Sequence, residues 1–203
     1  GTQTADHLNA SLQGTLAEHV FKLSGAVPST PPPELAQVLG VAAAKGTLAQ
    51  LQGRGAWLAD AAGGGRWRAK VERVVVGGWD GKPELSAPSH SWAAAKDLVA
   101  ELEFNPEGRL VALHADPGRL QFTDAVAMRW DEVRVDLRGD HARVQINADI
   151  EPFALAPLLA RAQPTMGWQG DLLLSARVKI NAAEKVDADL VFERRDGDLH
   201  MAN

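Results

Sequence analysis

Long segments in which apolar and polar residues strictly alternate are the feature that most constrains how this chain folds. From Leu172 to Ile180 every second residue is apolar, and Ser175, Arg177 and Lys179 stand between them. After a short polar turn, the same alternation returns from Val186 to Phe192. A period of two residues is typical of a β-strand with one dry face and one wet face. The pattern therefore predicts two antiparallel strands, and it leaves open what their dry face contacts.

Similar alternating segments occur through most of the chain and are separated by turn signals rich in Gly, Asn, Asp and Pro. Examples are TLAQLQGRGAWL, RWRAKVERVVV, DLVAELEF and RVQINADI. The parity of the apolar residues changes near Asp131 and Glu132, which predicts a β-bulge or a turn at that point. The sequence thus predicts a mainly β protein built from antiparallel strands.

Two segments depart from the β pattern and predict one or two short helices. The prolines of PSTPPPELAQVLGVAAAKG indicate a stiff, extended turn, followed by a short helix from Glu34 to Ala44. The segment PFALAPLLARAQP places Phe153, Ala156 and Leu159 at helical spacing, and Pro164 ends the pattern. A short amphipathic helix between two long strands would close one end of the sheet.

The composition is that of a globular domain and excludes several classes of function. The chain has 203 residues, of which 45% are hydrophobic and 23% charged, so it can bury a sizeable core. The net charge of −5 argues against nucleic-acid binding. Because the chain has no cysteine, disulfides, zinc–thiolate sites and cysteine nucleophiles are excluded. We interpret residues 1–203 as a single β-rich segment of a longer protein, with residues 28–45 as a candidate insertion or sub-boundary.

Catalytic and metal-binding motifs are not recognisable in the sequence. The six histidines are scattered without the paired spacing of a metal site, and the carboxylates concentrate in turns and on wet strand faces. No nucleophile elbow, Walker loop or dinucleotide fingerprint is present. We therefore predict a protein that is not an enzyme and that uses neither a cofactor nor a metal.

Two further groups of side chains have alternative interpretations. Arg66, Arg68, Lys70 and Arg73 alternate with apolar residues. We interpret these four as the solvent face of one strand, and the alternative is a surface for a lipid headgroup or another anionic partner. The tryptophans are spread over the chain and are interpreted as packing residues, with a sugar-stacking platform as the alternative. They are Trp57, Trp67, Trp79, Trp92, Trp130 and Trp168.

The last third of the chain carries a family resemblance. A Pro-aromatic-x-Leu-x-Pro-Leu-Leu segment begins at Pro152, a Trp-x-Gly-Asp-Leu segment follows at Trp168, and a hairpin closes on a Gly-Asp-Leu turn at Gly197. With these residues the region resembles the TamB family, the AsmA-like translocation and assembly module proteins of Gram-negative bacteria. The phrases GTLAEHVFKLSG and GTLAQLQGRGAWLADAAGGGRWRAKVERV are similar to that family's recurrent strand–turn units. The resemblance touches most of the chain, and residues 28–44 and 78–95 match it less well.

The resemblance implies a periplasmic portion of a protein that is anchored in the inner membrane by a segment outside this one. The strands of such a protein curl into an open, taco-like groove with an apolar interior. Family members are implicated in moving phospholipids toward the outer membrane, and in outer-membrane protein assembly with an Omp85-type barrel partner. Phospholipid acyl chains are then the expected ligands of this chain, and the barrel protein is an expected partner of the full-length protein.

Three arrangements remain open for the dry face. In a closed sandwich it meets a second sheet, and the chain is a structural or adaptor module for a protein partner. A carbohydrate-binding sandwich would expose several tryptophan rings together. In an open groove, which the resemblance favours, acyl chains fill the space beside one curved sheet. For the groove we predict ten lining residues: Leu102, Phe104, Val144, Ile146, Leu172, Leu174, Val178, Ile180, Leu190 and Phe192.

Overall fold

The structure, a computed structural model, describes residues 7–41, 43–61, 63–85 and 87–201. Within these ranges eleven strands form one antiparallel sheet, and two short strands form a second sheet. The prediction of a mainly β protein with one or two short helices is confirmed. The strands are β1 (His7–Gly14), β2 (His19–Val27), β3 (Gly46–Ala59), β4 (Gly65–Trp79), β5 (Ser91–Phe104), β6 (Leu110–Ala115), β7 (Gly118–Phe122), β8 (Val126–Asp136), β9 (Arg143–Ala154), β10 (Trp168–Gly170), β11 (Leu173–Ala182), β12 (Val186–Asp196) and β13 (Leu199–Met201).

The large sheet is a meander, in which strands that follow one another in the chain lie side by side. Its order is β1-β2-β3-β4-β5-β6-β8-β9-β11-β12, and β7 pairs with β5 and β8. Strands β6 and β7 lie end to end and keep one register against β5, because Ala100 pairs with Ala115 and Ala95 pairs with Leu120. Pro117 stands at the interruption, where its missing N–H cannot continue the ladder.

Both helices are shorter than the sequence predicts. Helix α1 (Pro33–Leu39) ends at Gly40, which adopts a left-handed conformation with φ of 67°; a residue in this conformation ends a helix. The predicted helix extended to Ala44, and Ala42 lies outside the described residues. Helix α2 (Leu155–Ala162) begins later than predicted, because Phe153 still belongs to β9.

Several predicted strand features can be compared with the register. The predicted bulge is confirmed, since the pairing of β8 with β9 shifts between Trp130 and Glu132. Strand β5 begins at Ser91, inside a segment whose Gly, Pro and Ser residues obscured the pattern. Leu172 precedes β11, and its carbonyl accepts a hydrogen bond from the Leu155 N–H at 3.0 Å. The first alternating segment of the sequence, from about Asp6 to Gln13, predicts a strand, and Asp6 lies outside the described residues.

The register divides the large sheet into two faces, because directly paired residues point to the same side. We call the side that carries Phe21 and Val71 the inner face, and the side that carries Lys22 and Arg73 the outer face. One core cluster lies on the inner face and combines Phe21, Ala69 and Val71 with Leu51, Trp67, Val74 and Leu98. A smaller cluster lies on the outer face and combines Ala26, Leu48 and Trp79 with Leu85.

Candidate functional site

One row of directly paired residues crosses the whole inner face without a polar side chain. Each member pairs with the next, from β1 at one edge of the sheet to β12 at the other. The row has nine strand spacings, which amount to about 43 Å along the sheet. We call it the transverse row, and its members are Ala10, Leu23, Leu51, Val74, Ala95, Leu120, Met128, Ile150, Ala176 and Phe192.

A second row of paired residues on the inner face runs parallel to the first and is also apolar. It extends from β3 to β12, and its members are Trp57, Trp67, Leu102, Leu113, Val135, Val144, Ala182 and Val186. Two further rows lie between these two. One begins with His19 on β2 and Gly55 on β3, and from β4 onward it contains only Ala, Val and Ile. The other contains Phe21, Gly53, Val71 and Leu98 on β2 to β5, and Trp130, Ala148, Val178 and Leu190 on β8, β9, β11 and β12. The inner face is therefore a continuous apolar surface over most of the sheet.

Strands β2 to β5, which we call the filled half, cover their own inner face with aromatic rings. Gly55 lies beneath two of them: a Cβ at this position would be 2.5 Å from His19 Nε2 and 2.5 Å from Trp67 Nε1. The Trp67 indole N–H donates to His19 Nε2 at 2.8 Å, and His19 Nδ1 donates to the Thr15 carbonyl at 3.1 Å. His19 thus has both ring nitrogens satisfied as a neutral imidazole, although it is only 6% exposed.

The same arrangement recurs at other glycines of the inner face. The ring of Trp57 covers Gly65, and the ring of Phe21 lies 2.9 Å from the Cβ position of Gly53. Because glycine leaves room above the backbone, a neighbouring ring can lie flat over the strand. Side chains from β2 and β4 then meet across β3, as Phe21 and Trp67 do with ring centroids 5.3 Å apart.

Strands β8, β9, β11 and β12, which we call the open half, have an inner face that their own side chains do not cover. On this face only alanines are fully buried, at positions 148 and 176. The larger residues of β8, β9 and β11 are half-buried, and those of β12 are exposed, with Val186 at 75%, Leu190 at 54% and Phe192 at 55%. Apolar surface of this extent on a monomer indicates a binding partner.

No second sheet packs on the inner face within the described residues. The main contacts between elements are those of neighbouring strands, together with contacts of α2 with α1, β10 and the 3₁₀ turn at Pro164–Met166. A closed sandwich requires a second sheet of comparable size, and the pair β10–β13 has three residues in each strand. Among the described residues, no second sheet of comparable size is thus present to cover the inner face of the open half.

The two helices close one end of the sheet. Helix α1 joins β2 to β3, and α2 joins β9 to β11, so their mutual contact spans the ends of the strands between them. The Arg161 guanidinium lies 3.1 Å from the Cβ position of Gly40, and Arg161 Nη2 is 3.7 Å from Asp124 Oδ1 in the turn after β7. Three connections therefore meet at this end, whereas short turns border the opposite end.

Nine of the ten predicted lining residues share the inner face, and Leu172 lies in the turn before β11. Leu102 and Phe104 belong to β5 at the border of the filled half, and Phe104 contacts Trp57 with ring centroids 5.5 Å apart. The other seven lie on β9, β11 and β12. The register adds Leu113, Leu120 and Met128, which short or irregular strands concealed in the sequence. Whether these residues contact a ligand stays a prediction.

Charged residues of the outer face form ion pairs between neighbouring strands. Glu151 accepts two hydrogen bonds from Arg119, both at 2.9 Å, and its Oε1 lies 3.3 Å from Arg129 Nε. These hydrogen bonds from Arg119 hold the pKa of Glu151 below its ordinary value, and they raise the pKa of Arg119. One carboxylate thereby links β7, β8 and β9 on the wet side of the sheet.

The remaining predicted features are placed as follows. Trp79 and Trp92 are buried and the other four tryptophans are half-buried, so none of the six presents an exposed ring. Trp92 Nε1 is buried without an acceptor among the described residues. In the same part of the chain, no group of three or more metal-ligating side chains forms. Neither described helix is long and apolar enough to cross a bilayer.

Comparison with known proteins adds no evidence about function to that of the geometry. No family model, no curated protein and no solved structure matches this chain. The site is therefore defined by its physical properties alone: a continuous apolar face, uncovered over one half, beneath a polar and ion-paired outer surface.

Proposed function

We propose that this chain is a non-enzymatic module whose inner face holds and conducts the acyl chains of phospholipids. The observation that carries the proposal is the transverse row, which crosses every strand position without a polar side chain. The open half supports it, because the large apolar side chains of β12 are exposed and no second sheet in the described part of the chain covers them.

The energetics favour a hydrocarbon ligand over water on this face. Each CH₂ group removed from water contributes about 0.8 kcal/mol. The open half is three strand spacings wide, about 14 Å, and one leaflet of a bilayer's hydrocarbon core is about 15 Å thick. An acyl chain that lies across the open half would therefore contact apolar side chains over nearly its whole length.

The apolar rows of this surface suggest how a lipid would move along it. Dispersion and hydrophobic contacts have no preferred direction, so an acyl chain can shift from one row to the next without breaking a specific hydrogen bond. Headgroups would remain in water at the uncovered edge beside β12. The mechanism makes and breaks no covalent bond.

The cellular setting of the proposal rests on the resemblance to the TamB family. In that setting the chain is a periplasmic part of an inner-membrane-anchored protein that carries phospholipid toward the outer membrane. An Omp85-type barrel is then a partner of the full-length protein. We also propose that the helix-closed end and the opposite end differ in function, since a lipid can enter or leave more easily where only short turns border the groove.

A protein partner on the exposed edges is the second candidate function. Leu8 and Leu12 on β1 are 69% and 65% exposed, and the outer edge of β1 has no pairing strand among the described residues. An unpaired edge can accept a strand from another protein. This candidate uses the backbone of β1, whereas lipid binding uses the side chains of the inner face.

A pair of substitutions on β12 tests the proposal with a matched control. Leu190 lies on the inner face and Val191 on the outer face, and they are 54% and 50% exposed. The probe is a phosphatidylcholine with a fluorescent acyl chain, titrated with the intact chain. Leu190→Asp should weaken binding roughly tenfold or more, because a carboxylate would be desolvated against the acyl chain. Val191→Asp should change the affinity less than about twofold.

Either of two results would overturn the proposal. The lipid binds the Leu190→Asp variant as tightly as the unmodified chain, or both variants lose binding equally. Ile146→Asp extends the test to the centre of the open half, where the apolar surface must be uninterrupted if acyl chains are to move along it. Its unfolding curve in urea is measured first, because loss of the folded state would identify Ile146 as a core residue instead.

A further inference from the structure

We infer that the outer face of the filled half carries a binding site for a phosphate group, built around Lys22, Arg73 and Lys96. The register aligns these residues in one row across four strands. Lys22 pairs with Gln52, Gln52 pairs with Arg73, and Arg73 pairs with Lys96. We call this the cationic row. Its ends are three strand spacings apart, about 14 Å, and all four side chains point to the outer face.

The cationic row differs from the other basic residues nearby in having no acidic partner. Each basic side chain of the neighbouring rows forms an ion pair within 4 Å: Arg54 with Glu72 at 3.1 Å, Arg66 with Glu101 at 3.6 Å, Arg68 with Asp116 at 3.8 Å and Lys70 with Asp97 at 3.9 Å. In the part of the chain that the structure describes, Lys22, Arg73 and Lys96 form no ion pair. Each cation of the neighbouring rows is thus paired with a carboxylate, whereas the three cations of this row are not.

The arrangement is unfavourable in the absence of an anion. Arg73 and Lys96 are directly opposed on β4 and β5, and like charges in that position destabilise a sheet. The chain as a whole has a net charge of −5, so this local positive charge is opposite in sign to the charge of the whole chain. An anionic ligand bound between these side chains would attract each of them and so offset their mutual repulsion.

A depression of about 280 Å³ adjoins the row and supplies further hydrogen-bond donors. Lys22, Gln52 and Arg73 line it together with Ser24 and Gln50 of the next row. The Gln50 amide is held by the Leu85 carbonyl, to which its Nε2 donates at 2.8 Å. The depression therefore combines the Lys22 ammonium, the Arg73 guanidinium, the Ser24 hydroxyl and the Gln52 amide on the surface of the sheet.

This donor set fits a phosphate group better than a carboxylate. A guanidinium binds two phosphate oxygens at once, and the lysines add point charges that a dianion satisfies better than a monoanion. A phosphate ester in solution and the phosphate of an anionic lipid headgroup present the same chemistry. The inference does not depend on acyl-chain binding, because the cationic row and the transverse row lie on opposite faces.

The experiment compares two double variants that remove the same charge from the intact chain. Arg73→Gln with Lys96→Gln removes two unpaired cations, and Arg66→Gln with Arg68→Gln removes two that are already ion-paired. Inorganic phosphate is titrated by calorimetry at constant ionic strength. Binding should weaken roughly tenfold or more in the first double variant and less than about twofold in the second. Urea unfolding of each variant verifies that it is folded.

A second arm identifies the source of the phosphate. Vesicles of phosphatidylglycerol and of phosphatidylcholine are sedimented with the chain in a Leu190→Asp background, which removes the proposed acyl-chain contact. Selective binding to phosphatidylglycerol that Arg73→Gln with Lys96→Gln abolishes indicates a lipid headgroup. Phosphate binding without vesicle binding indicates a soluble phosphate compound. If neither probe binds, or if both double variants lose binding equally, the inference is wrong.

Discussion

The filled half and the open half are built from the same alternating strand pattern, yet they use their inner faces differently. In the filled half, rings from β2, β3 and β4 lie over glycines, and large side chains such as Phe21 and Val71 are each 8% exposed. In the open half, the four strands contain no glycine, branched aliphatic residues dominate the inner face, and those of β12 are largely exposed. At its border, the Trp130 ring of β8 lies over Gly118 of β7. The difference teaches that alternation fixes which side chains share a face, whereas the distribution of glycine and aromatic residues decides whether that face covers itself.

The largest predicted effect is the difference in the free energy of unfolding between the same Phe→Ala substitution made in each half. Phe21→Ala in the filled half should lower the free energy of unfolding by about 3–5 kcal/mol, because it leaves a cavity beneath Trp67. Phe192→Ala on β12 should lower it by less than about 1 kcal/mol, since that ring is 55% exposed. Urea unfolding at one temperature measures both. Equal losses would mean that the open half is as well packed as the filled half.

The next prediction tests the glycines of the filled half. Gly55→Ala should cost about 1–3 kcal/mol, because the new methyl group would press on the hydrogen-bonded rings of His19 and Trp67. Gly139→Ala serves as the control, since the nearest atom to its Cβ position is 3.7 Å away. The expected change at Gly139 is within about 0.5 kcal/mol. A stable Gly55→Ala variant would show that the rings do not depend on the space above this residue.

The ion-paired outer face of the open half predicts a dependence of stability on pH. The pKa of Glu151 is lowered by its hydrogen bonds to Arg119, so the stabilisation is present above the ordinary glutamate pKa and is lost as the pH falls through the lowered value. Glu151→Gln should therefore reduce stability at pH 7 by less than about 1 kcal/mol. The two proteins should become equally stable only once the pH falls below the lowered pKa of Glu151. A difference that persists in strong acid would point to packing, and not to charge, as the role of Glu151.

The smallest predicted effect concerns the cationic row on the outer face of the filled half. In phosphate-free buffer, Arg73→Gln should raise the free energy of unfolding by about 0.2–0.5 kcal/mol, because it relieves repulsion with Lys96. Arg68→Gln should not raise it, since Arg68 lies 3.8 Å from Asp116. The gain should disappear in about 0.5 M salt, which screens exposed charges. A loss of stability in the Arg73→Gln variant would contradict the assigned repulsion.

Much of the fold could be predicted from the sequence, because the strands of the open half alternate over long distances. The segment from Val144 to Ile150 and the hairpin that begins at Leu172 needed no tertiary information, and a change of parity located the bulge at Asp131. Strand β5 was predicted to begin too late, because its first residues, SWAAAK, lack a clear alternation and follow a Gly-, Pro- and Ser-rich loop. The helix end at Gly40 depends on a left-handed backbone conformation, which the apolar pattern of the helix does not reveal.

The candidate sites required the register, which a single sequence does not contain. The transverse row joins residues from β1 to β12, and no local pattern specifies which of them are paired. Four basic residues of β4 were interpreted as one group, yet three of them have acidic partners on other strands or turns. Only Arg73 belongs to the cationic row, and its companions Lys22 and Lys96 come from strands on either side. The pairing of strands, and not proximity in sequence, determines which basic residues have an acidic partner and which do not.

The most direct test of the proposed function is native mass spectrometry of the purified chain in detergent-free buffer, followed by organic extraction and identification of any bound lipid. The account predicts a phospholipid adduct on the unmodified chain and on Val191→Asp, and its loss from Leu190→Asp. A clean mass of the polypeptide alone, with no uptake of added phospholipid by the unmodified chain, would contradict the account. The exposed inner face would then be a surface for a protein partner.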